Sequence, residues 1–546
     1  MRTMAKPYVE VRQRGDRFYA YERESYWDPV LKQGRKRTLR FLGPCNKNGK
    51  VLEIPKVHLD GVHSSFPVGR LLVFYASAEN LRLRERARKL LGLDDQQAGR
   101  FVALVLNQAT DRVALDRLPE WARASPLPSL LGLDPDALTP EAFESLLSKL
   151  CRLTEANVWE DRGVLLQHEL TRAWRSQTRE PPGAYYDVTK QPFYGWSNPY
   201  GQRGHDANGG ISNVVAFGMV VSAGHHHPYL CHALPGSQND ALSVAETVRI
   251  LQERGYRGLR LVMDRGMLSR ENVAKATGAG YHLVGLVKGW SAETLALASR
   301  WSEEELEVPE HVVRTSRGSV YARAMTKPLW DLPRLRLAVV VNTRRKREDR
   351  EGRDLALQEL KGPVSKERLA ELKRTLKVQD PRRRKKKGYV PGLLVRCKGR
   401  RGVWVDEEAV KWDRAVDGRF LIFSTDLSLG GAEMYQAYFQ RDAIEKVFRT
   451  EKGELDLGPL RYRKKDRTDA YATVLYTAAL LWSWSEQTLK RKFPEMSLSE
   501  ALRSLENVSW VRFGVGKKVR EWSTRLTGEQ EEILSALGAA RSLPSP

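Results

Sequence analysis

The 546-residue sequence predicts an α/β fold, a mixed five-stranded sheet with helices, interrupted by a partly β insertion and preceded by a β-rich and then a helical region. Three observations predict it. The apolar period changes from two to 3.6 and back along the chain. Strand-like and helix-like runs follow the order β-β-β-α-β-α-β between residues 184 and 287. That regularity then lapses for about 135 residues and resumes near Phe420.

Residues 7–43 alternate as strands do, through Tyr8-Val9-Glu10-Val11, Arg17 to Tyr21 and Thr38 to Leu42, and end at Gly43-Pro44. Residues 1–60 therefore read as a β-rich module. From 77 to 175 the period is helical: Leu81, Ala87, Leu90 and Leu91 share a face, and Thr139-Pro140 supplies a cap and an N1 proline for the run Phe143, Leu146, Leu147, Leu150. This marks 61–180 as a helical domain, with the four prolines of 125–140 as its internal linker. Strands are expected at 184–189, 214–222, 229–234, 259–263 and 281–287, with helices at 240–254 and 269–277. The order is ribonuclease H-like. It gives the first part of a core at 181–289, an insertion at 290–418 and the second part of the core at 419–490, followed by a helical region at 491–546. Within the insertion, 335–341 and 393–396 look like strands, 361–377 an amphipathic helix, and 382–387 is an unbroken basic run. A strand at 420–423 and a long helix from near Gly431 resume the core.

Composition narrows the function. Ninety-one Lys and Arg face 67 Asp and Glu, a formal charge of +24 and a pI near 9.8, which concentrates polyanions, nucleic acid foremost. A mean hydropathy of −0.50 and the lack of any 18-residue apolar run argue against a membrane span, so the apolar stretch 471–484 reads as a core helix. Cys45, Cys151, Cys231 and Cys397 stand far apart with no C-x-x-C pair, which indicates neither a disulfide framework nor a structural zinc site and fits a reducing cytosol. The amino terminus lacks the apolar segment of a secretory signal. His225-His226-His227 with Cys231-His232 invites a zinc reading, but not at a ligand spacing the metal is known to use.

Three acids stand at meaningful places: Asp187 inside the first core strand, Asp264 where the fourth ends, and Glu445 on the late helix. The first and fourth strands of a twisted sheet can lie side by side, and a helix packed across them can bring a third carboxylate. Three hard oxygen donors would hold Mg²⁺ or Mn²⁺, and two such ions about 3.5–4 Å apart serve in-line phosphoryl displacement. Most of the 67 acids are solvated surface groups, and Asp264-Arg265-Gly266 is also good turn chemistry. Asp187 differs, because a carboxylate within YYDVT costs several kcal/mol unless a cation or metal holds it. On the late helix Tyr438, Arg441, Glu445 and Lys452 fall within an arc of about 60°, at about 100° per residue, beside the apolar face of Ala437, Ile444 and Phe448. The same stripe is compatible with an ordinary helix stabilised by charge pairs such as Arg441 with Glu445.

The series Tyr-x2-Arg-x3-Glu-x6-Lys formed by these four residues resembles the Y-R-E-K signature of a large group of bacterial insertion-sequence transposases of the DDE type. MDRGMLSRENV around Asp264, YYDVTK around Asp187 and the 235–240 segment PGSQND are similar to other motifs of that group. The resemblance covers roughly 181–290 and 417–485 well, and 1–180 more loosely. It implies a ribonuclease H-like catalytic core with an insertion between the second Asp and the Glu. It further implies cleavage at the ends of a mobile element and joining of the freed 3′-hydroxyl to target DNA. Asp187, Asp264 and Glu445 would be catalytic metal ligands for two Mg²⁺ or Mn²⁺ ions. Arg441 and Lys452 would hold phosphates, and Tyr438 would contact terminal nucleotides. The implied partners are double-stranded DNA, both transposon end and target, with 61–180 as a helical DNA-binding domain, and a second copy of the chain in the DNA complex. The implied setting is the bacterial cytoplasm, at the nucleoid, with no membrane. Trp404 or Trp412 of the insertion could stack a flipped base, and no motif selects between them. The competing functions are a ribonuclease H-like nuclease or resolvase without strand transfer, and a catalytically inactive DNA-binding regulator.

Overall fold

The computed structural model describes the chain except for residues 1–5, 15–16, 29–31, 52–61, 179–182, 196, 206–209, 239, 265, 316–317, 331, 359–377, 380–393, 396–403, 441–459, 461, 516–517 and 545–546. It divides into two compact units, residues 1–65 with 511–522 and residues 66–510 with 523–545. In the first unit the alternating amino-terminal sequence forms β1 (Tyr8–Arg14), β2 (Arg17–Asp28) and β3 (Gln33–Cys45), an antiparallel sheet in that order. β4 (Val62–Pro67) belongs to a second small sheet.

The second unit opens with helices at Gly69–Asn80, Leu83–Leu91, Asp95–Ala109, Pro140–Leu150 and Arg162–Arg175. The Pro140–Leu150 helix begins as its sequence dictates: Thr139 Oγ1 accepts from the Ala142 N–H at 3.2 Å, and Phe143, Leu146, Leu147 and Leu150 are buried. The stretch 125–140, expected as a linker, holds a Leu127–Leu131 helix with Pro128 in its first turn, where no N–H is needed. Its Leu127, Leu131 and Leu138 are buried, so the prolines shape packed turns rather than a tether. β5 (Cys151–Leu153) and β6 (Trp159–Asp161) form a hairpin.

Next come β7 (Gly183–Pro192), β8 (Gln202–His205), β9 (Ile211–Ser222), β10 (Pro228–Pro235), the Asp240–Glu253 helix, β11 (Arg260–Met263), the Arg270–Gly278 helix and β12 (His282–Leu286). The elements follow the expected order, with β8 added from a polar stretch that carries no apolar alternation. In the sheet they run β10-β9-β7-β11-β12, antiparallel from β10 to β7 and parallel from β7 to β12. The first and fourth core strands are therefore neighbours.

The sheet continues past β12. β13 (Val312–Thr315), β14 (Gly318–Leu329) and β15 (Leu332–Asn342) fall in the region expected as an insertion, while β16 (Val378–Gln379), β17 (Leu394–Val395) and β18 (Trp404–Val405) form a small sheet of their own. β19 (Arg419–Ser424) pairs with β12 on one side and β15 on the other, so β13 to β15 join the core in one ten-stranded sheet. The reason lies in β15. Leu335, Leu337, Val339 and Val341 pack into one apolar cluster and Ala338 and Val340 into the other, which makes it a strand covered on both faces. The expected 361–377 helix and the basic run 382–387 lie outside the described residues.

A helix at Gly431–Phe439 follows β19, and a 26-residue helix at Lys465–Lys490 includes the apolar stretch 471–484. Polar contacts tie this long helix to the early ones: Ser485 Oγ lies 2.8 Å from Ser77 Oγ, Gln167 Nε2 donates to Thr473 Oγ1 at 3.0 Å, and Thr171 Oγ1 and Tyr476 Oη are 2.6 Å apart. Among the described residues no helix is long and apolar enough to cross a membrane. The region 491–546, expected to be helical, holds helices at Leu498–Ser504 and Gly528–Ala536 but also β20 (Ser509–Val515) and β21 (Lys518–Ser523). The aromatic and β-branched residues of SWVRFGV favour a strand, and these two strands complete the sheet β21-β20-β4.

Candidate active site

The parallel register of β7 and β11 pairs Arg260 with Gly183, Leu261 with Ala184, Val262 with Tyr185 and Met263 with Tyr186. The next step of that register is Asp264 beside Asp187. Asp264 is the first residue past β11 and Asp187 is in the middle of β7, and neighbouring strands lie about 4.8 Å apart, so the two residues follow at the same level. Strand alternation fixes the face. Ala184, Tyr186, Leu261 and Met263 pack into one apolar cluster and Tyr185 and Val262 into the other, which puts Asp187 on the side of Tyr185. Asp187 is half-buried and Asp264 is exposed.

A tight turn holds Asp264. Its carbonyl accepts from the Met267 N–H at 3.0 Å, and Asn272 Nδ2 donates to the Met267 carbonyl at 2.8 Å. Ser269 Oγ then caps the Arg270–Gly278 helix by accepting from the Asn272 N–H at 3.2 Å. Leu268, in the same turn, seats on Gly285 of β12: a Cβ at residue 285 would stand 1.9 Å from Leu268 Cδ1. Glycine at that position lets the turn lie flat against the sheet.

The face that bears Asp187 is also the face of the Gly431–Phe439 helix, whose Tyr435, Tyr438 and Phe439 pack into the same cluster as Tyr185. Tyr185 Oη donates to Gln440 Oε1 at 3.3 Å, and burial pushes the Tyr185 phenol up to about 12, so it keeps its proton near neutrality. Farther along β7, the Leu460 N–H donates to the Pro192 carbonyl at 2.8 Å, and Leu460 bridges Phe193. The residues just before and just after 441–459 are thus both attached to the strand of Asp187, one on each side of it. Gln440 and Leu460 carry no motif. The alternation in YYDVT places Tyr185 on the face of Asp187, but its partner lies 255 positions away in the chain.

Glu445, Arg441 and Lys452 lie outside the described residues. Tyr438 is described and is 5% exposed, its ring edge-on to Phe439 at 5.3 Å between centroids. Two carboxylates at one level are hard donors suited to Mg²⁺ or Mn²⁺. Among the described residues no group of three His, Cys, Asp or Glu forms a metal site.

The other sequence candidates have structural surroundings. His227 is fully buried and stacks on Trp174 with centroids 4.3 Å apart, and burial holds its imidazole well below the usual range, favouring the neutral ring. Trp412, on the Glu407–Ala415 helix, packs partly buried against the apolar cluster that contains Tyr186, and the Trp404 side chain lies outside the described residues.

The family model described as "Transposase DDE domain" matches residues 177–481. No curated protein matches the chain significantly. Among solved structures, a piggyBac transposase synaptic complex with hairpin DNA aligns over 83% of this chain and 81% of its own at 10% identity, with a TM-score of 0.36. A Mos1 transposase paired-end complex with the left transposon end aligns over 32% of this chain and 54% of its own at 11% identity, with a TM-score of 0.14.

Proposed function

Because this chain belongs to the transposase DDE domain family, whose model spans more than half of its length, we propose that it is a DNA transposase. It cleaves the ends of an insertion sequence and joins the freed 3′-hydroxyl to target DNA. The observation that carries this reading is the β7 and β11 register, whose last pair, Met263 with Tyr186, immediately precedes Asp264 and Asp187. The strand order β10-β9-β7-β11-β12, antiparallel and then parallel, supports a ribonuclease H-like core.

Asp187, Asp264 and Glu445 would hold two Mg²⁺ or Mn²⁺ ions. Glu445 is five residues beyond Gln440, a reach of at most about 18 Å in any conformation, and Gln440 is attached to Tyr185, two residues before Asp187. Ions bound there supply a more acidic attacking hydroxyl and charge stabilisation at the leaving oxygen. Arg441 and Lys452 hold phosphates beside the scissile bond, where fixed positive charge favours the transition state over the ground state. Tyr438 would contact the terminal nucleotides. The partners are double-stranded DNA and a second copy of the chain, because two element ends must be held at once, and the setting is the bacterial cytoplasm at the nucleoid.

The test is a gel assay with Mg²⁺ and duplexes that carry the element ends. Wild type yields nicked ends and joined products, while Asp264→Asn and Glu445→Gln bind the same duplexes without cutting. Cleavage retained by either variant refutes the assignment of that acid. Nicking without joined products assigns the chain to the nuclease reading instead.

A further inference from the structure

One face of the β1-β2-β3 sheet is both aromatic and cationic. The Tyr21 and Phe41 rings lie 5.1 Å apart and Tyr19 and Phe41 6.2 Å. Arg12 stands over Tyr21 at 5.9 Å and Lys36 over Tyr8 at 5.6 Å. Alternation and register assign Ala20 and Cys45 to the opposite face, where both are buried. On the aromatic face Phe41 is 53% exposed, and Tyr8, Tyr19 and Tyr21 are half-buried. Contiguous rings left open to water mark a binding surface rather than a core.

Charge selects the occupant. Glu10 on this face accepts from Arg12 Nε at 2.8 Å and from an Arg23 guanidinium nitrogen at 2.9 Å, with Lys36 Nζ 3.7 Å away. One carboxylate among three cations leaves the face positive. Residues 1–50 carry 13 Lys and Arg against five Asp and Glu, a net of +8, which is denser than the +24 of the whole chain. Positive charge interleaved with rings suits a polynucleotide, whose phosphates meet the cations while its bases meet the rings. Paired bases keep their faces inside the duplex, so stacking requires an unpaired strand.

We propose that this sheet face binds single-stranded DNA, with Tyr19, Tyr21 and Phe41 stacking on bases and Arg12 and Lys36 holding phosphates. The choice of DNA over RNA rests on the transposase reading, whereas the demand for an unpaired strand rests on the sheet alone. The experiment is fluorescence anisotropy of the full chain with an oligothymidylate of about 15 nucleotides. Tyr21→Ala/Phe41→Ala weakens binding at least about tenfold and leaves duplex affinity within about twofold, while Tyr21→Phe binds as wild type. Arg12→Ala/Lys36→Ala lowers the slope of log affinity against log salt by about 1.4, a readout that also decides the matter if the ring variant fails to fold. Wild type that binds the oligonucleotide but neither nicks nor joins the end duplexes separates failure of the transposase reading from failure of this proposal. Wild-type affinity and salt slope in both double variants overturns the proposal, as does tighter binding of the matching oligoribonucleotide.

Discussion

The ten-stranded sheet is parallel only over β7, β11 and β12 and antiparallel on both sides of them, and the candidate site sits in the parallel part. β7, β11 and β12 run parallel, whereas β12, β19, β15, β14 and β13 alternate in direction. β11 ends at Met263, level with Tyr186 in the middle of β7, so the residue that follows β11 emerges beside Asp187 although the two are far apart in the chain. This is the general reason that sites in such sheets collect at the carboxyl ends of strands. Antiparallel strands bring the end of one to the start of its neighbour. β19 ends level with the start of β12, and Asp426, just past it, reaches across β12 to Arg260 at the start of β11, with 2.6 Å between Oδ2 and the guanidinium nitrogen. β11 thus sets Asp264 beside Asp187 past its end, where the proposed divalent cations would bind, and Arg260 against Asp426 at its start.

The sharpest way to break this contrast is Asp187→Asn. It is expected to reduce end cleavage about a thousandfold or more, equivalent to about 4 kcal/mol of transition-state stabilisation, with little change in melting temperature. Leu337→Ala, fully buried in the antiparallel half, should do the reverse. Denaturant unfolding should show a loss of about 2–5 kcal/mol, and cleavage per folded molecule should stay within about twofold. Gly285→Ala joins the two behaviours, since the new methyl displaces Leu268 and with it the turn that holds Asp264. It should destabilise by about 1–3 kcal/mol and slow cleavage several-fold, while Leu268→Ala in the same chain should restore part of the rate.

The smallest effect is in acid. Burial alone would raise the Asp426 carboxyl, but hydrogen bonds from the Ser428 hydroxyl and the Arg260 guanidinium hold it down at about 2, against an ordinary 3.8. A depressed carboxylate contributes stability above its unfolded value and loses it as pH falls. The contribution of about 1 kcal/mol, after allowance for solvent screening, should therefore be complete above about pH 4 and vanish toward pH 2. Asp426→Asn should flatten that part of the unfolding profile.

The acid-bearing half was the more legible in sequence, for a physical reason. Strands β7, β9, β10 and β12 are bounded by Gly, Pro or polar turns, so period and punctuation agree, and the helix between β10 and β11 announces the crossover. β14 has neither advantage: in GSVYARAMTKPL charged and apolar residues mix because its Arg323 spreads over Trp301, 4.4 Å from the ring, instead of marking a solvent face. The pairing of β19 with β15 joins residues about 80 positions apart, which no local pattern encodes. At the site, the acids were visible because a charge inside YYDVT is an anomaly. Gln440 and Leu460 were not, because a glutamine side chain and a backbone N–H carry no such anomaly. Residues 125–140 misled through their prolines, which signal a break in the backbone equally well whether the flanking leucines are packed or solvated.

The Lys465–Lys490 helix has a consequence for biosynthesis. The hydroxyl pair that joins it to the first helix spans 408 residues of chain. At about 5–20 residues per second, a ribosome needs roughly 20–80 s to make that length. Throughout this interval the emerging amino-terminal helices present apolar ridges whose native cover has not been translated. The nascent polypeptide must therefore rely on chaperones or provisional packing, and ribosome stalling upstream of residue 465 would release an adhesive, protease-sensitive fragment instead of a stable subdomain.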